Sequence, residues 1–278
     1  MNKNIDAQTV DGFGKEWSSF DQSALSEWEA GYLFDGYFRI FPWSKLPAGA
    51  VGFDLGCGSG RWAKRVAPRV GRLHCVDASQ EALSVAQRNL QTLPNCVFHL
   101  ASVDQIPLAD NSADFGYSLG VLHHIPDTAA GITSCVAKLK PGAPFLLYLY
   151  YAFDNRPIWF RLLWKISDVI RKFISGLPYG LRNLMSQMIA AVIYYPLARF
   201  SLLLEKMGLK KIENLPLAPY RHRSFYSMRT DALDRFGTRL EHRFTAPEIK
   251  MMMEKAGLER ITFSPEVPYW CAVGYKVS

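Results

Sequence analysis

Asp54-Leu55-Gly56-Cys57-Gly58-Ser59-Gly60 decides the fold of this chain of 278 residues. Ala50 to Leu55, leading into it, is a short apolar run of strand character, and Arg61 to Ala67, leading out, has helical spacing. Three alternate glycines between a strand and a helix mark a turn where backbone approaches a ligand and any Cβ would collide. A plain turn role is the bland alternative. A nicotinamide fingerprint would place its third glycine at position 61, where Arg61 stands, and prefers an apolar residue where Asp54 sits. Asp54 suits a ligand that brings an amine, a role compatible with capping the following helix, and the helix N-terminus suits a carboxylate. Asp77 closes the next strand, where a carboxylate can accept both hydroxyls of a ribose. An adenosyl-amino acid has all three groups.

Outward from this turn, short apolar runs alternate with helical stretches in the rhythm of a parallel sheet. Strands are expected at Arg72 to Asp77, Val97 to Ala101, Phe115 to Gly120 and Pro144 to Tyr151, with helices at Gln80 to Gln91 and Thr128 to Lys138. After Tyr151 the rhythm breaks into an amphipathic helix carrying Trp159, Leu162, Ile166, Val169, Ile170 and Phe173. Two more helices follow, Leu181 to Tyr195 and Leu197 to Met207, divided at Pro196. Thr245-Ala246-Pro247-Glu248 opens a late helix with a capping box, Gly257 stops it, and strands at Glu259 to Ser264 and Tyr269 to Lys276 complete the sheet. The expected organisation is a helical cap (1–45), a Rossmann-like core (46–153), a mainly helical insert (154–243) and a final helix with two strands (244–278). The fold class is α/β, a seven-stranded, mostly parallel sheet with helices on both faces and an insert acting as a lid.

Composition narrows the class. At 49% hydrophobic and 21% charged the chain reads as an ordinary globular protein, which excludes disorder, collagen and coiled coil. Five scattered cysteines form no C-x-x-C pair, so neither a disulfide framework nor a zinc site is expected, and a reducing, cytoplasmic setting fits. The first residues show no signal-peptide pattern, and the longest uncharged run, Asn183 to Ala198, is too short for a bilayer span. The net charge of +7 is concentrated: residues 155–211 carry ten Lys or Arg against two acids.

Four stretches in order resemble the class I S-adenosylmethionine-dependent methyltransferases, in particular their ubiquinone- and menaquinone-biosynthesis-like small-molecule branch. They are the glycine turn, the strand ending at Asp77, Leu119-Gly120-Val121-Leu122-His123-His124 with the preceding Asp110-Asn111-Ser112-Ala113-Asp114, and Leu139-Lys140-Pro141-Gly142. The resemblance covers 50–151 well and the last 35 residues more loosely. It implies that S-adenosylmethionine is the cofactor. Asp54, Gly56, Cys57, Gly58 and Gly60 would hold its methionine part, Asp77 and Ala78 its ribose, and Ser102, Val103 and Asp104 its adenine, with Leu119 and Gly120 beside them. Many members carry Gly-Asp-Ala where Ala101-Ser102-Val103 stands, so the usual carboxylate to the adenine amine is either missing or replaced by Ser102 or Asp104. Phe13-Gly14-Lys15-Glu16-Trp17 resembles the entry of related sugar and natural-product enzymes, which makes Trp17 a candidate to stack near the sulfonium, with core packing as the alternative.

The implied reaction is a direct displacement in which alignment matters most and a base serves only if the acceptor loses a proton. Candidate catalytic residues are His123 and His124, on the carboxyl edge of the sheet, with Asp154 to orient one of them; structural packing of the pair is the alternative. Tyr150, Tyr151, Tyr220, His222 and Tyr226 are substrate candidates. A small, acidic acceptor suits the basic insert, whose apolar faces most simply pack on each other and on the sheet. The alternatives are a membrane-surface enzyme anchored by Trp159, Phe160 and Trp164 and acting on a lipid-linked acceptor, and a non-catalytic partner subunit. A homodimer is compatible with either; no nucleic acid and no metal are expected.

Overall fold

The computed structural model describes residues 4–209, 212 and 215–278. Residues 1–3 and the insert's Lys210 and Lys211 lie outside them. The chain divides into two compact units, one of Met1–Gln22, Ala30–Ala152 and Leu240–Ser278, the other of Ser23–Glu29 and Phe153–Arg239.

The first unit is built on seven strands: β1 (Val51–Leu55), β2 (Arg72–Asp77), β3 (Cys96–Leu100), β4 (Phe115–Leu119), β5 (Pro144–Tyr148), β6 (Leu258–Phe263) and β7 (Cys271–Lys276). Their order is β3-β2-β1-β4-β5-β7-β6. β1 to β5 run parallel, and β7 is antiparallel to both β5 and β6, so the sheet is the mostly parallel one read from the sequence. Strand order reverses direction at β1, which pairs with β2 on one side and β4 on the other. Sheets of this kind bind ligands beyond the carboxyl ends of the strands at that switch.

Around the sheet lie α1 (Ala7–Ser19), α2 (Glu27–Phe38), α3 (Ala63–Val66), α4 (Gln80–Asn89) and α5 (Thr128–Lys138). Side chains begin three of them: Asp6, Ser79 and Asp127 accept from the backbone N–H groups of Thr9, Ala82 and Ala130. α1 packs across α4 at Gly14, where a Cβ would stand 2.6 Å from Ser79 Oγ.

β1 and β4 interlock through reciprocal pairs. Gly52 stands opposite Phe115 and Phe53 opposite Gly116, and both rings are fully buried. A Cβ at Gly116 would lie 2.3 Å from the Phe53 ring. Gly116→Val is therefore expected to cost about 3 kcal/mol by overpacking. A fall in the guanidinium midpoint that Phe53→Leu partly reverses in the double variant checks this, since only a shared space couples the two.

The second unit holds α6 (Ile158–Ser175), α7 (Tyr179–Ile189), α8 (Tyr195–Lys206) and α9 (Phe225–Gly237). α10 (Ala246–Lys255) returns to the first unit and opens with the expected capping box of Thr245 and Glu248. Two expectations for the insert are corrected. Pro196 does not divide a pair of helices: α7, a π-helical turn at Ala190–Tyr194 and α8 form one run, Tyr179–Lys206, of 28 residues. The π turn shifts the hydrogen-bond register just ahead of the proline, whose missing N–H then falls in the opening turn of α8. By length and composition this run is sufficient to cross a membrane, unlike the shorter uncharged stretch read from the sequence. The second correction concerns packing: Ile166, Val169, Phe173 and Val192 are exposed, so the outer apolar faces of α6 and α7–α8 do not pack on each other.

Candidate active site

The glycine turn is clamped to the tip of β2. Gly56 N and Cys57 N donate to the Val76 carbonyl at 2.7 and 3.1 Å, and Gly58 N donates to Asp77 Oδ2 at 2.8 Å. The other oxygen of Asp77 accepts from Ser79 N at 2.9 Å. Gly56 and Gly58 have φ of +76° and +53°, left-handed values that a side chain would strain. Their missing Cβ atoms make room for the chain itself: one at Gly58 would lie 2.8 Å from Trp17 Nε1, and one at Gly56 would lie 2.3 Å from Val121 Cγ2. The half-buried Trp17 thus rests on the turn, and the cation placed over its ring is the Arg61 guanidinium, 5.6 Å from the centroid. Although a hydrogen bond with the Cys75 thiol pulls the other way, burial pushes the Cys57 thiol up to about 11, which leaves it no nucleophile at neutral pH.

Asp54, at the end of β1, is 1% exposed and caps no helix. Burial pushes its carboxyl up to about 8; Tyr117 and Arg61 oppose this rise, and Asp77 adds to it. Oδ2 accepts from the Tyr117 hydroxyl at 3.0 Å, and Oδ1 is buried without a hydrogen-bond partner. Asp77 is also raised by burial, against the lowering effect of its bonds from Ser79, Gly58 and Ala78. Two neighbouring carboxyl groups short of positive charge, one with an orphaned oxygen, fit a ligand that carries a cationic amine and hydroxyl donors. Beyond β3, Ser102 Oγ donates to Asp104 Oδ1 at 2.5 Å and Val103 is buried. Leu119 ends β4, and Gly120 N donates to the Tyr148 carbonyl at 3.1 Å.

His123 and His124 occupy a short 3-10 turn after β4 and are 0% and 4% exposed. The His123 ring lies against that of Tyr150, just past β5, with centroids 3.9 Å apart and planes tilted by 30°, and neither of its ring nitrogens has a hydrogen-bond partner. Burial, with His124, Arg243 and His242 nearby, holds its pKa well below the usual imidazole value, so the ring is neutral. His124 Nδ1 lies 2.7 Å from the Leu240 carbonyl. The segment beside them, Leu240 to Phe244, escaped the sequence reading. His242 N donates to the His123 carbonyl, Phe244 N to that of Tyr150, and the Arg243 guanidinium lies 5.0 Å over the Tyr150 ring. No local motif marks it; its only signal is a run of three ionisable residues, Glu241-His242-Arg243, between Leu240 and Phe244 just ahead of the capping box.

A family model described as a methyltransferase domain matches residues 53–147, from β1 through β5, and so covers both carboxylates, the glycine turn and the histidine pair. Residues 53–147 are a methyltransferase domain. The chain is 26% identical over 240 residues to the ubiquinone biosynthesis O-methyltransferase of Xanthomonas axonopodis pv. citri, covering 83% of this chain and 96% of that one. The corresponding protein of Aromatoleum aromaticum is 27% identical over 51% of this chain and 62% of its own length. An uncharacterized 37.1 kDa protein from transposon TN4556 of Streptomyces fradiae is 34% identical over 36% of this chain and 30% of its own. The chain therefore spans less than two thirds of these last two relatives. Among solved structures, the CurJ carbon methyltransferase shares the fold with a TM-score of 0.54 and 14% identity, over 99% of this chain and 62% of that one.

The first unit brings together Trp17, Asp54, the glycines, Asp77 and Ala78 at one end of the switch, and His123, His124 and Tyr150 past β4 and β5. Tyr151 lies just beyond β5, where its ring meets those of Tyr269 and Trp270. The other four candidates belong to the second unit. Asp154 is exposed in a turn, and the acceptor seen on His124 is the Leu240 carbonyl. Tyr220 packs on Tyr194 under the Arg223 guanidinium, His222 pairs with Glu205 at 2.7 Å, and Tyr226 lies in the first turn of α9. For Tyr220 and His222 these contacts are packing and a surface contact with a carboxylate within the helical unit.

Proposed function

We propose that the chain transfers a methyl group from S-adenosylmethionine to an oxygen, nitrogen or carbon nucleophile of a small natural-product, sugar or quinone-like acceptor, by direct in-line displacement. The observation that carries this reading is the pair of charge-starved carboxyls, Asp54 and Asp77, flanking a left-handed glycine turn inside a methyltransferase domain. When bound, the cofactor supplies a methyl group on a cationic sulfur. Asp54 meets the amine through its orphaned Oδ1, Asp77 takes the ribose hydroxyls on its remaining lone pairs, and Ser102, Val103 and Asp104 border the adenine. The chain's contribution is alignment in a dry setting, and a buried, protonated Cys57 supports a reaction without a covalent enzyme intermediate. Five buried free thiols support a reducing, cytoplasmic setting.

For an acceptor that must lose a proton, His123 is the base this reading favours over His124. Its ring is neutral and both nitrogens are uncommitted, whereas Nδ1 of His124 is engaged by the Leu240 carbonyl. His123→Phe separates catalysis from stability. Removing a buried imidazole that makes no hydrogen bond leaves the unfolding midpoint unchanged or higher. Loss of the base lowers kcat about a hundredfold or more with cofactor affinity intact. Unchanged turnover of a hydroxyl acceptor removes His123 from the mechanism.

The overall reading is tested by calorimetry with S-adenosylhomocysteine, followed by a screen of small acceptors with methyl-labelled cofactor. Saturable binding and labelled product are expected. A chain that takes up neither compound does not perform this reaction.

A further inference from the structure

Set about 100° apart per residue, the side chains of α6 fall into three lengthwise strips. One faces its own unit: Arg171, Ile174 and Ser175 are buried and Trp164, Ser167 and Asp168 half-buried. Arg171 fixes this side, with Nε donating to Asp168 at 2.6 Å and Nη1 to the Thr238 carbonyl at 2.9 Å. A second strip, about 100° wide by the same count, holds Ile158, Leu162, Ile166, Val169 and Phe173 with Trp159, and Ile166, Val169 and Phe173 are 62%, 69% and 70% exposed. Between the two runs a narrow cationic strip of Arg161, Lys165 and Lys172, all exposed. A surface helix in water turns its polar side outward; here the outermost arc is the apolar one.

The helical run 179–206 is inverted in the same sense. Its buried positions are Ser186, Ala190, Tyr194, Ala198 and Ser201, mostly small or polar. Large apolar side chains, among them Leu184, Met188, Val192 and Leu203, point outward and are more than 50% exposed. Clustered exposed apolar side chains of this kind mark an interaction site.

Charge selects the occupant. Arg161 and Lys165 have no acidic partner among the described residues, while the acids on these helices are already engaged: Asp168 by Arg171 and Lys172, Glu205 by Arg221 and His222. The outward surface thus offers cations beside hydrocarbon and no carboxylate to answer them. An isologous pairing with a second copy would set the unpaired Arg161 and Lys165 of both copies into one interface. A spanning arrangement of 179–206 would break the bonds by which Arg182 and Arg199 donate to the Gly237, Arg221 and Arg223 carbonyls and would carry those guanidinium groups towards hydrocarbon. Anionic headgroups meet the cationic strip while the apolar strip enters the acyl boundary, the arrangement of a helix lying in the membrane plane.

We propose that the helical unit docks on an anionic bilayer surface, with the apolar strip of α6 seated at the acyl boundary and Arg161, Lys165 and Lys172 on the headgroups. Docking stands apart from the methyl-transfer reading, because a chain unable to bind the cofactor would still dock.

Flotation of the full chain with vesicles of phosphatidylcholine alone, or of phosphatidylcholine mixed with phosphatidylglycerol, tests this. The chain is expected to float with the mixed vesicles and to lose at least tenfold in partitioning as Ile166→Glu/Phe173→Glu. Each neutralisation among Arg161→Gln, Lys165→Gln and Lys172→Gln lowers partitioning about fivefold and narrows the preference for anionic lipid. Circular dichroism and the unfolding midpoint show that the variants are folded. The proposal is overturned if the parent stays in solution with both vesicle types or floats equally with the neutral ones. It is equally overturned if sedimentation equilibrium shows a dimer that Ile166→Glu/Phe173→Glu separates while vesicle binding is absent.

Discussion

Asp77→Ala is expected to lower affinity for S-adenosylmethionine about a hundredfold or more and to leave the chain folded. The carboxylate does two jobs at the tip of β2. Its oxygens take Gly58 N at 2.8 Å and Ser79 N at 2.9 Å, which fixes the glycine turn and the start of α4, and the carboxylate retains capacity to accept from a hydroxyl. Hydrogen bonds to a charged partner contribute about 1.5–3 kcal/mol each, so losing the ribose pair accounts for the affinity change. The stranded Gly58 and Ser79 amides add a stability loss of about 1–3 kcal/mol, visible in thermal unfolding. Asp77→Asn, which keeps one acceptor oxygen, should fall between parent and alanine variant in calorimetric titration. An alanine variant that binds within threefold of the parent removes Asp77 from the site.

The contrast between what the sequence disclosed and what it concealed follows the range of the forces involved. β1, the glycine turn and β2 were legible because their signals are local: a strand run, left-handed glycines and an acid at the strand tip all lie between Val51 and Asp77. The Ser79 cap and the Thr245–Glu248 capping box were legible for the same reason. Leu240 to Phe244 was not, because long-range backbone bonds to His123 and Tyr150 place it beside the histidines. The continuity of 179–206 was hidden too, since the break expected at a proline is avoided by a π turn that no residue pattern announces. In α6 the periodicity revealed an apolar strip but carried no information on its partner, and the face that reads as core points outward. Of the three aromatic anchors considered there, Trp159 is on the outer strip, whereas Phe160 and Trp164 pack with Phe153.

Asp54→Asn is expected to remove a pH dependence from both stability and cofactor binding. In the cofactor-free chain the Asp54 carboxyl is pushed up to about 8 by burial, from 3.8 when exposed, so at pH 7 the folded state holds a proton that the unfolded state has released. The contribution of this group to stability is therefore fully present below pH 3.8 and is lost as pH climbs towards 8, by at most about 1.4 kcal/mol per pH unit. Asparagine has no proton to lose, so the variant should outlast the parent in denaturant at pH 8 and show a flatter stability profile between pH 5 and pH 8. Binding responds in the opposite sense. A cationic amine beside Oδ1 favours the ionised carboxylate, so cofactor uptake near neutral pH expels a proton, and the parent's affinity should rise from pH 6 to pH 9. Calorimetry in buffers of different ionisation enthalpy reads that proton directly. The variant should release none, bind with little pH dependence and be about 10- to 150-fold weaker than the parent at pH 9, the range a charge-assisted hydrogen bond contributes. The amine therefore belongs elsewhere if the parent's binding enthalpy is the same in every buffer, because a cation bound at Oδ1 cannot leave a carboxyl of raised pKa protonated.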